Sequence, residues 1–494
     1  MRIASINYFV AIQRCLQKIT LYLSDICSVA IFCSRFAWLT KLEFLEMPMI
    51  LLPLITHTDP DSVVAWCDGV PITSRRFLAD VDQLAAKLLS GHYLLNMCSD
   101  RYRFSVGMAA AIVTGKVSLL PSTHTPEMVQ QLKAFAPDMF CLTDSDSSTL
   151  DLPQLPYPVM VDKKTNTFIV PQISSSQLIA VVFTSGSTGT PLPHLKTWGA
   201  LVSSVQAEAS RLGLLNKAMP FNLVGTVPPQ HMYGFETTVL MAWQSGNALS
   251  DAHPFYPADI CQALASVPSP RVLVSSPVHL RALLDSALLL PEVACIVSAT
   301  APLSTQLALD IEACCQSPLM EIYGSTETGQ IATRRPTQTA AWQLFPEINL
   351  IKKGDGMYAS GGHIVTPTLM SDSIEPITDE RFLLHGRLAD MVNIAGKRHS
   401  LASLNHLLNS ISGVVDGAFY MPDESSHTRV TRLAACVVAP SVNPVQLLAI
   451  LREHIDPVFL PRPLLFVESL PRNSTGKLPR AALQALFNQT QKSA

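Results

Sequence analysis

The sequence predicts an α/β protein with a large N-terminal domain of several subdomains, built from mostly parallel sheets flanked by helices, and a smaller α/β domain at the C-terminus. At 494 residues the chain is too long for one ordinary hydrophobic core. Strand-like and helix-like windows alternate over residues 50–175, which predicts parallel strands covered on both faces by helices. Hydrophobic residues make up 48% of the chain and charged residues 15%, a composition typical of globular proteins.

The pattern of apolar residues predicts the individual elements of the first half. Apolar residues at helical spacing predict a helix over 74–89, and small residues predict another over 104–113. Thr125 is the expected N-cap of a third helix, with Pro126 in its first position. Short apolar runs predict strands at 93–97, 116–120 and 178–183.

The same pattern continues through the second half. We expect a helix that runs to Leu212, followed by strands at 272–276, 294–297 and 320–323. The C-terminal segment is predicted to contain helices at 401–411 and 444–454 and strands at 417–420 and 433–438.

The first 46 residues differ from the rest of the chain. Charged residues such as Arg14, Lys18 and Asp25 interrupt every apolar run, so no spanning helix and no stable membrane insertion is expected. A signal peptide is the alternative, but its charged region and cleavage site are poorly formed. We interpret 1–46 as an atypical extension outside the folded enzyme, with the working domain starting at Met47 or Met49.

Charge and cysteine content exclude several classes of function. A net charge of −3 without a basic tract argues against a nucleic-acid partner. Eleven cysteines lie without metal-binding spacing, which is typical of reduced thiols in a cytoplasmic protein.

A loop rich in glycine and hydroxyl groups follows the strand at 178–183. Glycines allow backbone geometries closed to other residues, and hydroxyl and N–H groups can donate to an anion. The loop therefore predicts a phosphate site, although a plain Ser/Gly linker has the same composition. It is not a P-loop of the NTPase type, because Pro191 and Leu192 stand where that motif needs Lys and Ser or Thr. Its residues are Thr184, Ser185, Gly186, Ser187, Thr188 and Gly189.

Three further motifs follow in order, and the set resembles the adenylate-forming superfamily. The segments 323–327 (YGSTE), 386–390 (GRLAD) and 473–477 (NSTGK) lie far apart in the sequence. The superfamily comprises acyl-CoA and aryl-CoA ligases, adenylation domains of peptide synthetases and beetle luciferases. The resemblance runs from about Met47 to the C-terminus and implies a large domain over 47–388 and a mobile lid domain over 389–494.

The resemblance implies roles in binding ATP and Mg²⁺. Thr326 is expected to contact the α-phosphate, and Glu327 is expected to hold Mg²⁺, which takes one or two carboxylates plus phosphate oxygens. His231 is expected beside the carboxylate of the acyl substrate. The remaining expected nucleotide contacts are Thr300 and Ala301 against adenine, Tyr323 stacked on adenine, Gly324 in its turn, Asp372 on the ribose and Arg387 on ribose or phosphate.

The resemblance also implies a moving catalytic cation. Lys477 corresponds to the lysine that bridges the attacking carboxylate and the α-phosphate, a positioned charge for a transition state that gains charge. Asp390 corresponds to the hinge about which the lid turns, which brings in the loop at Gly396 for the second half-reaction. A lysine on such a loop would otherwise be an ordinary solvated side chain.

The sequence departs from the superfamily at three positions. Leu192 replaces the usual phosphate-loop lysine, and Lys196 is a possible substitute; Asn393 and Ser403 replace a common lysine and glutamate. The pattern TGxPxPHxKxW resembles stand-alone ligases of aryl-polyene and xanthomonadin-type pigment clusters, which activate hydroxybenzoate-like acids.

The expected reaction is activation of a small carboxylic acid by ATP, aryl or fatty, followed by transfer to a thiol. The chain has no carrier motif of its own, so the thiol would belong to CoA or to the phosphopantetheine of an acyl carrier protein. Two alternatives remain open: an adenylating enzyme with a non-thiol acceptor, and a non-catalytic nucleotide-binding relative. Met232, Ala301 and His253 are candidates for the acyl pocket.

Overall fold

The computed structural model describes most of the chain from Ile50 onward. Contacts divide the chain into two units, Met1–Met49 and Ile50–Ala494, and only residues of the second are described. The described ranges are 50–121, 123–145, 150–161, 168–185, 191–215, 219–354, 356–387, 391–394, 397–421, 433–472 and 478–493. The predicted boundary at 388–389 and the expected hinge Asp390 lie outside them.

A six-stranded sheet contains the strand that leads into the loop at 184–189, which the sequence predicts to bind phosphate and which is called the phosphate loop below. Four of its strands, at 93–96, 117–120, 140–143 and 178–185, are parallel neighbours, as the alternating windows predict. Their apolar side chains are buried against helices. In spatial order the strands are Pro191–Thr197, Leu178–Ser185, Val117–Leu120, Tyr93–Asn96, Phe140–Thr143 and Gln154–Pro156.

An eleven-stranded sheet forms the largest layer. Its central strands from Val63–Cys67 to Leu319–Ser325 run parallel, and antiparallel strands extend both edges. In spatial order the strands are Asp372–Thr378, Arg381–Arg387, Trp342–Leu344, Gly329–Arg334, Leu319–Ser325, Cys295–Ser298, Arg271–Ser275, Asn222–Gly225, Ala248–Ser250, Val63–Cys67 and Val70–Thr73.

The remaining described strands form four smaller sheets. Leu51–Pro53 pairs with Gln172–Ser174, and Met391–Ile394 pairs with Lys397–Ser400. Two three-stranded sheets consist of Asn349–Lys353, Gly356–Gly361 and Ile364–Leu369, and of Asp416–Tyr420, Ala434–Val438 and Leu464–Phe466. The α/β class and the mostly parallel large sheets are therefore confirmed.

Helices cover the sheets and begin where the sequence indicates. The Thr125 hydroxyl accepts from the Met128 N–H at 3.3 Å, so the predicted cap is confirmed. The helix predicted over 74–89 ends earlier, at Ala85. The described helices are Ser74–Ala85, Arg101–Val113, Pro126–Phe135, Trp198–Arg211, Met232–Gly234, Phe235–Leu240 (π), Met241–Ser245, Pro257–Ala265, Pro277–Asp285, Thr305–Cys315, Leu401–Ser410, Pro444–His454, Pro457–Phe459 (3₁₀) and Arg480–Ser493. Within the described ranges no helix is both long and apolar enough to cross a bilayer.

One strand of the six-stranded sheet was not predicted from the sequence. Pro191–Thr197 pairs antiparallel with Leu178–Ser185, so the chain reverses after the phosphate loop instead of entering a helix directly. Pro191 and Pro193 obscure this strand, because proline lacks the N–H of a ladder hydrogen bond. Both prolines are tolerated because the strand lies at the edge of the sheet.

The C-terminal segment has a hydrophobic core of its own. Leu404 and Leu408 of the helix Leu401–Ser410 pack with Val437 of the sheet and Leu447 of the next helix. Arg472 holds Asp416 through two bonds of 2.7 Å each. The segment therefore has the small α/β composition that the sequence indicates.

A fully buried arginine joins three segments of the large domain. Arg101 is 0% exposed and donates to Thr238 Oγ1 at 2.9 Å, to the Gly225 carbonyl at 2.7 Å and to the Val227 carbonyl at 3.1 Å. Burial lowers its pKa to about 10, and Asp100 and Asp251 oppose that change, so the guanidinium stays charged at neutral pH.

Arg101→Met is expected to lower the free energy of unfolding of the protein by about 3 kcal/mol, because two buried carbonyl groups lose their donor. Thermal unfolding measures the effect. Arg103→Met is the matched control, since Arg103 is exposed on the same helix and its guanidinium lies 4.0 Å from Asp144. Equal melting temperatures for the two variants would contradict the assignment.

Candidate functional site

The candidate site lies where parallel strands of the eleven-stranded sheet end. Cys295–Ser298 and Leu319–Ser325 run parallel and in register, so the loops that follow them leave the same edge of the sheet. Ligands of open α/β sheets bind at the carboxyl ends of the strands. The first loop contains Thr300 and Ala301, and Thr300 adopts a positive φ of 80°. The second contains Thr326 and Glu327.

Glycine is required in the turn of the second loop. A Cβ atom on Gly324 would lie 2.3 Å from the Gly329 carbonyl oxygen, so no other residue fits without moving the backbone. Gly329 has a φ of 70°, in the left-handed region. These two glycines let the chain reverse within the segment that carries Thr326 and Glu327.

His194 connects the phosphate-loop strand to this second loop. His194 Nε2 lies 2.9 Å from Thr184 Oγ1, within hydrogen-bond distance, and 3.7 Å from Glu327 Oε1. Burial lowers the pKa of His194, Glu327 opposes that effect, and Lys196 adds to it. At neutral pH His194 is therefore uncharged, and its imidazole lies between a hydroxyl group and a carboxylate.

Glu327 is ionised, and its side chain remains accessible to a ligand. Burial by itself raises its pKa, but hydrogen bonds from its own N–H and from Ser325, together with His194 and Lys196, bring the pKa below its usual range. The side chain is 41% exposed. In the described part of the chain no three His, Cys, Asp or Glu residues group into a metal site. One accessible carboxylate fits Mg²⁺ that reaches the site with phosphate oxygens.

Lys196 contacts the backbone of the second loop, the one that contains Thr326 and Glu327. Its Nζ donates to the Thr326 carbonyl at 2.5 Å, and the residue is 8% exposed. His194 and Lys196 are two residues apart in a strand, so both side chains are on the same face of the sheet. The predicted role of Lys196 at the phosphates stays a prediction, since its ammonium group is directed at the loop backbone.

Tyr323 and Asp372 are in direct contact. The Tyr323 hydroxyl donates to Asp372 Oδ2 at 2.6 Å, and the backbone of Asp372 pairs with that of Arg387. The Tyr323 ring packs at 5.5 Å from Trp342 and 5.7 Å from Phe382 and is 8% exposed. The structure thus brings together three residues predicted for the nucleoside, and stacking of Tyr323 on adenine stays a prediction.

The predicted acyl-side segment begins at His231. His231 caps a short helical turn, with its Nδ1 3.3 Å from the Tyr233 N–H, and Gly234 packs so tightly that a Cβ would lie 2.1 Å from the Pro228 carbonyl oxygen. Met232 is buried and His253 is exposed. The contacts of His231 with a substrate stay a prediction.

Two carboxyl groups near this segment, those of Glu208 and Glu236, are buried. Glu236 lies on the π-helix Phe235–Leu240 and is 2% exposed, and its Oε1 accepts from Ser204 Oγ at 3.3 Å. Burial raises the pKa of Glu236 to about 7 against the attraction of Lys196. Burial and the repulsion of Glu236 raise the pKa of Glu208 well above its usual range. The side-chain nitrogen of Gln330 donates to Glu208 Oε2 at 2.8 Å, and its side-chain oxygen accepts from Thr237 Oγ1 at 2.9 Å.

Glu236→Gln is expected to flatten the pH dependence of stability. A carboxyl group whose folded pKa of about 7 exceeds its ordinary 4.5 binds its proton more tightly in the folded protein. The wild-type protein should therefore lose stability as the pH rises from about 4.5 to about 7, by roughly 3 kcal/mol from this group. Unfolding measured at several pH values checks this. Glu292→Gln, at an exposed position, should run parallel to the wild type; a parallel Glu236→Gln curve would contradict the assignment.

Several predicted site residues lie outside the described residues. They are Gly186, Ser187, Thr188, Gly189, Asp390, Gly396 and Lys477, and the side chains of Ser185, Arg387 and Asn393 are likewise not described. Their roles stay predictions.

Sequence reasoning missed His194 and Glu236. The alternation of His194 and Lys196 could have indicated one face of a strand, but the neighbouring prolines pointed to a loop. Glu236 carries no sequence signal that its carboxyl group is buried.

Comparison with known proteins identifies the family. The AMP-binding enzyme family matches residues 57–351. A 4-coumarate–CoA ligase of Halorhodospira halophila is 30% identical over 307 residues, which cover 60% of this chain and 73% of the relative. A 4-chlorobenzoate–CoA ligase of Arthrobacter sp. is 25% identical over 345 residues, 62% of this chain and 65% of the relative.

Solved structures share the fold. The O-succinylbenzoate–CoA synthetase of Bacillus subtilis, in complex with AMP, superposes with a TM-score of 0.73 at 16% identity, over 88% of this chain and 98% of that one. ATP-bound MatB from Rhodopseudomonas palustris gives a TM-score of 0.73 at 17% identity, over 87% and 97%. The superfamily predicted from the motifs is confirmed: the chain belongs to the AMP-binding enzyme family and is an AMP-forming acid–thiol ligase.

Proposed function

We propose that this enzyme activates an aryl carboxylic acid of the hydroxybenzoate type with MgATP and transfers the acyl group to the thiol of CoA or of a holo carrier protein. The observation that carries the proposal is the convergence of Thr184, His194 and Glu327 at one edge of the sheets. Support for an aryl acid comes from the names of the relatives, which act on 4-coumarate and 4-chlorobenzoate, and from the TGxPxPHxKxW pattern.

In the first half-reaction, a carboxylate oxygen forms a bond to the α-phosphorus of ATP. The bond from that phosphorus to the bridging oxygen of the β-phosphate breaks, and pyrophosphate leaves with the electron pair. Two anions must meet in line for this step, so the site has to hold and neutralise oxyanions. Thr184 and Thr326 supply donors there, and Lys477 supplies the positive charge.

Glu327 would hold Mg²⁺ together with phosphate oxygens. The ion, when bound, neutralises charge on the phosphates and favours departure of pyrophosphate. Glu327 is suited to this role because its carboxylate is accessible and stays ionised across the neutral range.

In the second half-reaction, the sulfur of the acceptor attacks the acyl carbon and AMP leaves, while the thiol proton passes to solvent or base. The C-terminal domain would turn about Asp390 between the two steps, removing Lys477 and bringing the Gly396 loop to the site. Such turning separates adenylation from thioester formation in time.

The test is product analysis with a panel of benzoates, cinnamates and fatty acids, with CoA and holo carrier protein each offered as acceptor. We expect an aryl-thioester and AMP in equal amounts with at least one acceptor. Turnover of fatty acids alone would overturn the aryl assignment, and acyl-adenylate that forms without any thioester would point to a non-thiol acceptor.

A further inference from the structure

The ammonium group of Lys196 donates a hydrogen bond to the protein backbone. Its ammonium group lies 2.5 Å from the Thr326 carbonyl oxygen, and its side chain is buried. Leu192, at the usual position of the phosphate-loop lysine, is four residues and thus roughly 13 Å farther along the same strand. Leu192 is exposed, and its own side chain carries no charge. These positions argue against Lys196 as a stand-in at the β- and γ-phosphates.

Glu236 is a buried carboxyl group that attracts Lys196. It is 2% exposed, and the Ser204 hydroxyl lies 3.3 Å from its Oε1 as a hydrogen-bond donor. A buried ammonium group is costly unless it is hydrogen-bonded. The Thr326 carbonyl supplies that hydrogen bond.

A second side chain, His363, contacts the loop that contains Thr326 and Glu327, at Thr328. His363 Nε2 lies 3.0 Å from the Thr328 carbonyl oxygen. A Cβ on Gly329 would lie 3.3 Å from His363 Nε2 and 3.7 Å from Glu236 Oε1, so both side chains lie close to the end of the loop. Side chains therefore contact the loop backbone on either side of Glu327, Lys196 at Thr326 and His363 at Thr328.

We propose that Lys196 is a positioning residue that tethers the Thr326 carbonyl and so fixes the Thr326–Glu327 segment for the α-phosphate. The proposal rests on the proposed function, because it takes the α-phosphate as the ligand of that segment.

Comparison of AMP with ATP separates a tether from a phosphate ligand. A residue that contacts the β- and γ-phosphates contributes to ATP binding and not to AMP binding. A tether of the α-phosphate segment contributes to both. We therefore expect Lys196→Met to raise the Kd of AMP and the Kd of ATP by the same factor, about tenfold, the scale of losing one charged hydrogen bond. Calorimetric titration of the full chain with each nucleotide measures both values.

The matched control is Lys116→Met. Lys116 Nζ also donates to a backbone carbonyl, that of Gly91, at 2.6 Å, and lies over the Phe140 ring at 5.5 Å. It precedes the strand Val117–Leu120, whereas the phosphate loop follows the carboxyl end of the parallel neighbouring strand Leu178–Ser185, so the two lie at opposite ends of these strands. Its loss should leave both nucleotide affinities unchanged. Should Lys196→Met fold poorly, the double variant Lys196→Met/Glu236→Gln also removes the buried carboxyl group that attracts the lysine, and it is expected to show the same loss of affinity for AMP and ATP, about tenfold.

Three outcomes overturn the tether. These are weaker binding of ATP alone, unchanged binding of both nucleotides in Lys196→Met, and additive losses in the double variant. Failure of the proposed function is a separate result, since it would appear in the wild-type protein as absence of carboxylate-dependent pyrophosphate exchange.

Discussion

Replacement of Lys477 with alanine is expected to lower the rate of adenylation by about two to three orders of magnitude, the scale of losing one preorganised charge donor. In the proposed mechanism the lysine would stabilise charge that develops only while the carboxylate attacks the α-phosphate. Pyrophosphate exchange measures this step.

Thioester formation from supplied acyl-adenylate should survive in Lys477→Ala, because in the proposed mechanism the lysine would have left the site by then. Lys352→Ala, at an exposed position of the large domain, is the control and should retain both activities. Equal loss of both half-reactions in Lys477→Ala would contradict the assigned role.

Glu327→Gln is the second substitution with a large expected effect. It keeps the size of the side chain and removes the charge that would hold Mg²⁺, so adenylation should fall by about two orders of magnitude. The Mg²⁺ concentration that gives half-maximal exchange should rise as well. Because the pKa of Glu327 lies below its usual range, the wild-type enzyme should keep this carboxylate ionised down to mildly acidic pH.

Glu292→Gln is a matched surface control and should leave the Mg²⁺ dependence unchanged. If Glu327→Gln kept wild-type exchange at the same Mg²⁺ concentration, the metal would have to be held elsewhere.

The sequence predicted the fold class and the loops that meet at the candidate site because both depend on local patterns. Apolar periodicity indicated the parallel strands, and glycine with hydroxyl groups indicated the loops at their carboxyl ends. The contact between Tyr323 and Asp372 joins two motifs that the resemblance had already assigned to one nucleoside.

The environment of Lys196 could not be predicted in the same way. The edge strand that contains it has two prolines, so its period of two is masked. Its hydrogen-bond partner Thr326 lies in a distant segment, and only the folded chain shows that the ammonium group points to the Thr326 carbonyl. Burial and pairing of charges are properties of tertiary structure, which a single motif does not encode.

The most direct test of the account is carboxylate-dependent exchange of labelled pyrophosphate into ATP by the purified full-length protein. The account predicts exchange that requires Mg²⁺ and an added carboxylic acid, is strongest with an aryl acid, and proceeds without any thiol. Binding of ATP with no exchange for any acid of the panel would contradict it and would identify the chain as a non-catalytic nucleotide-binding relative.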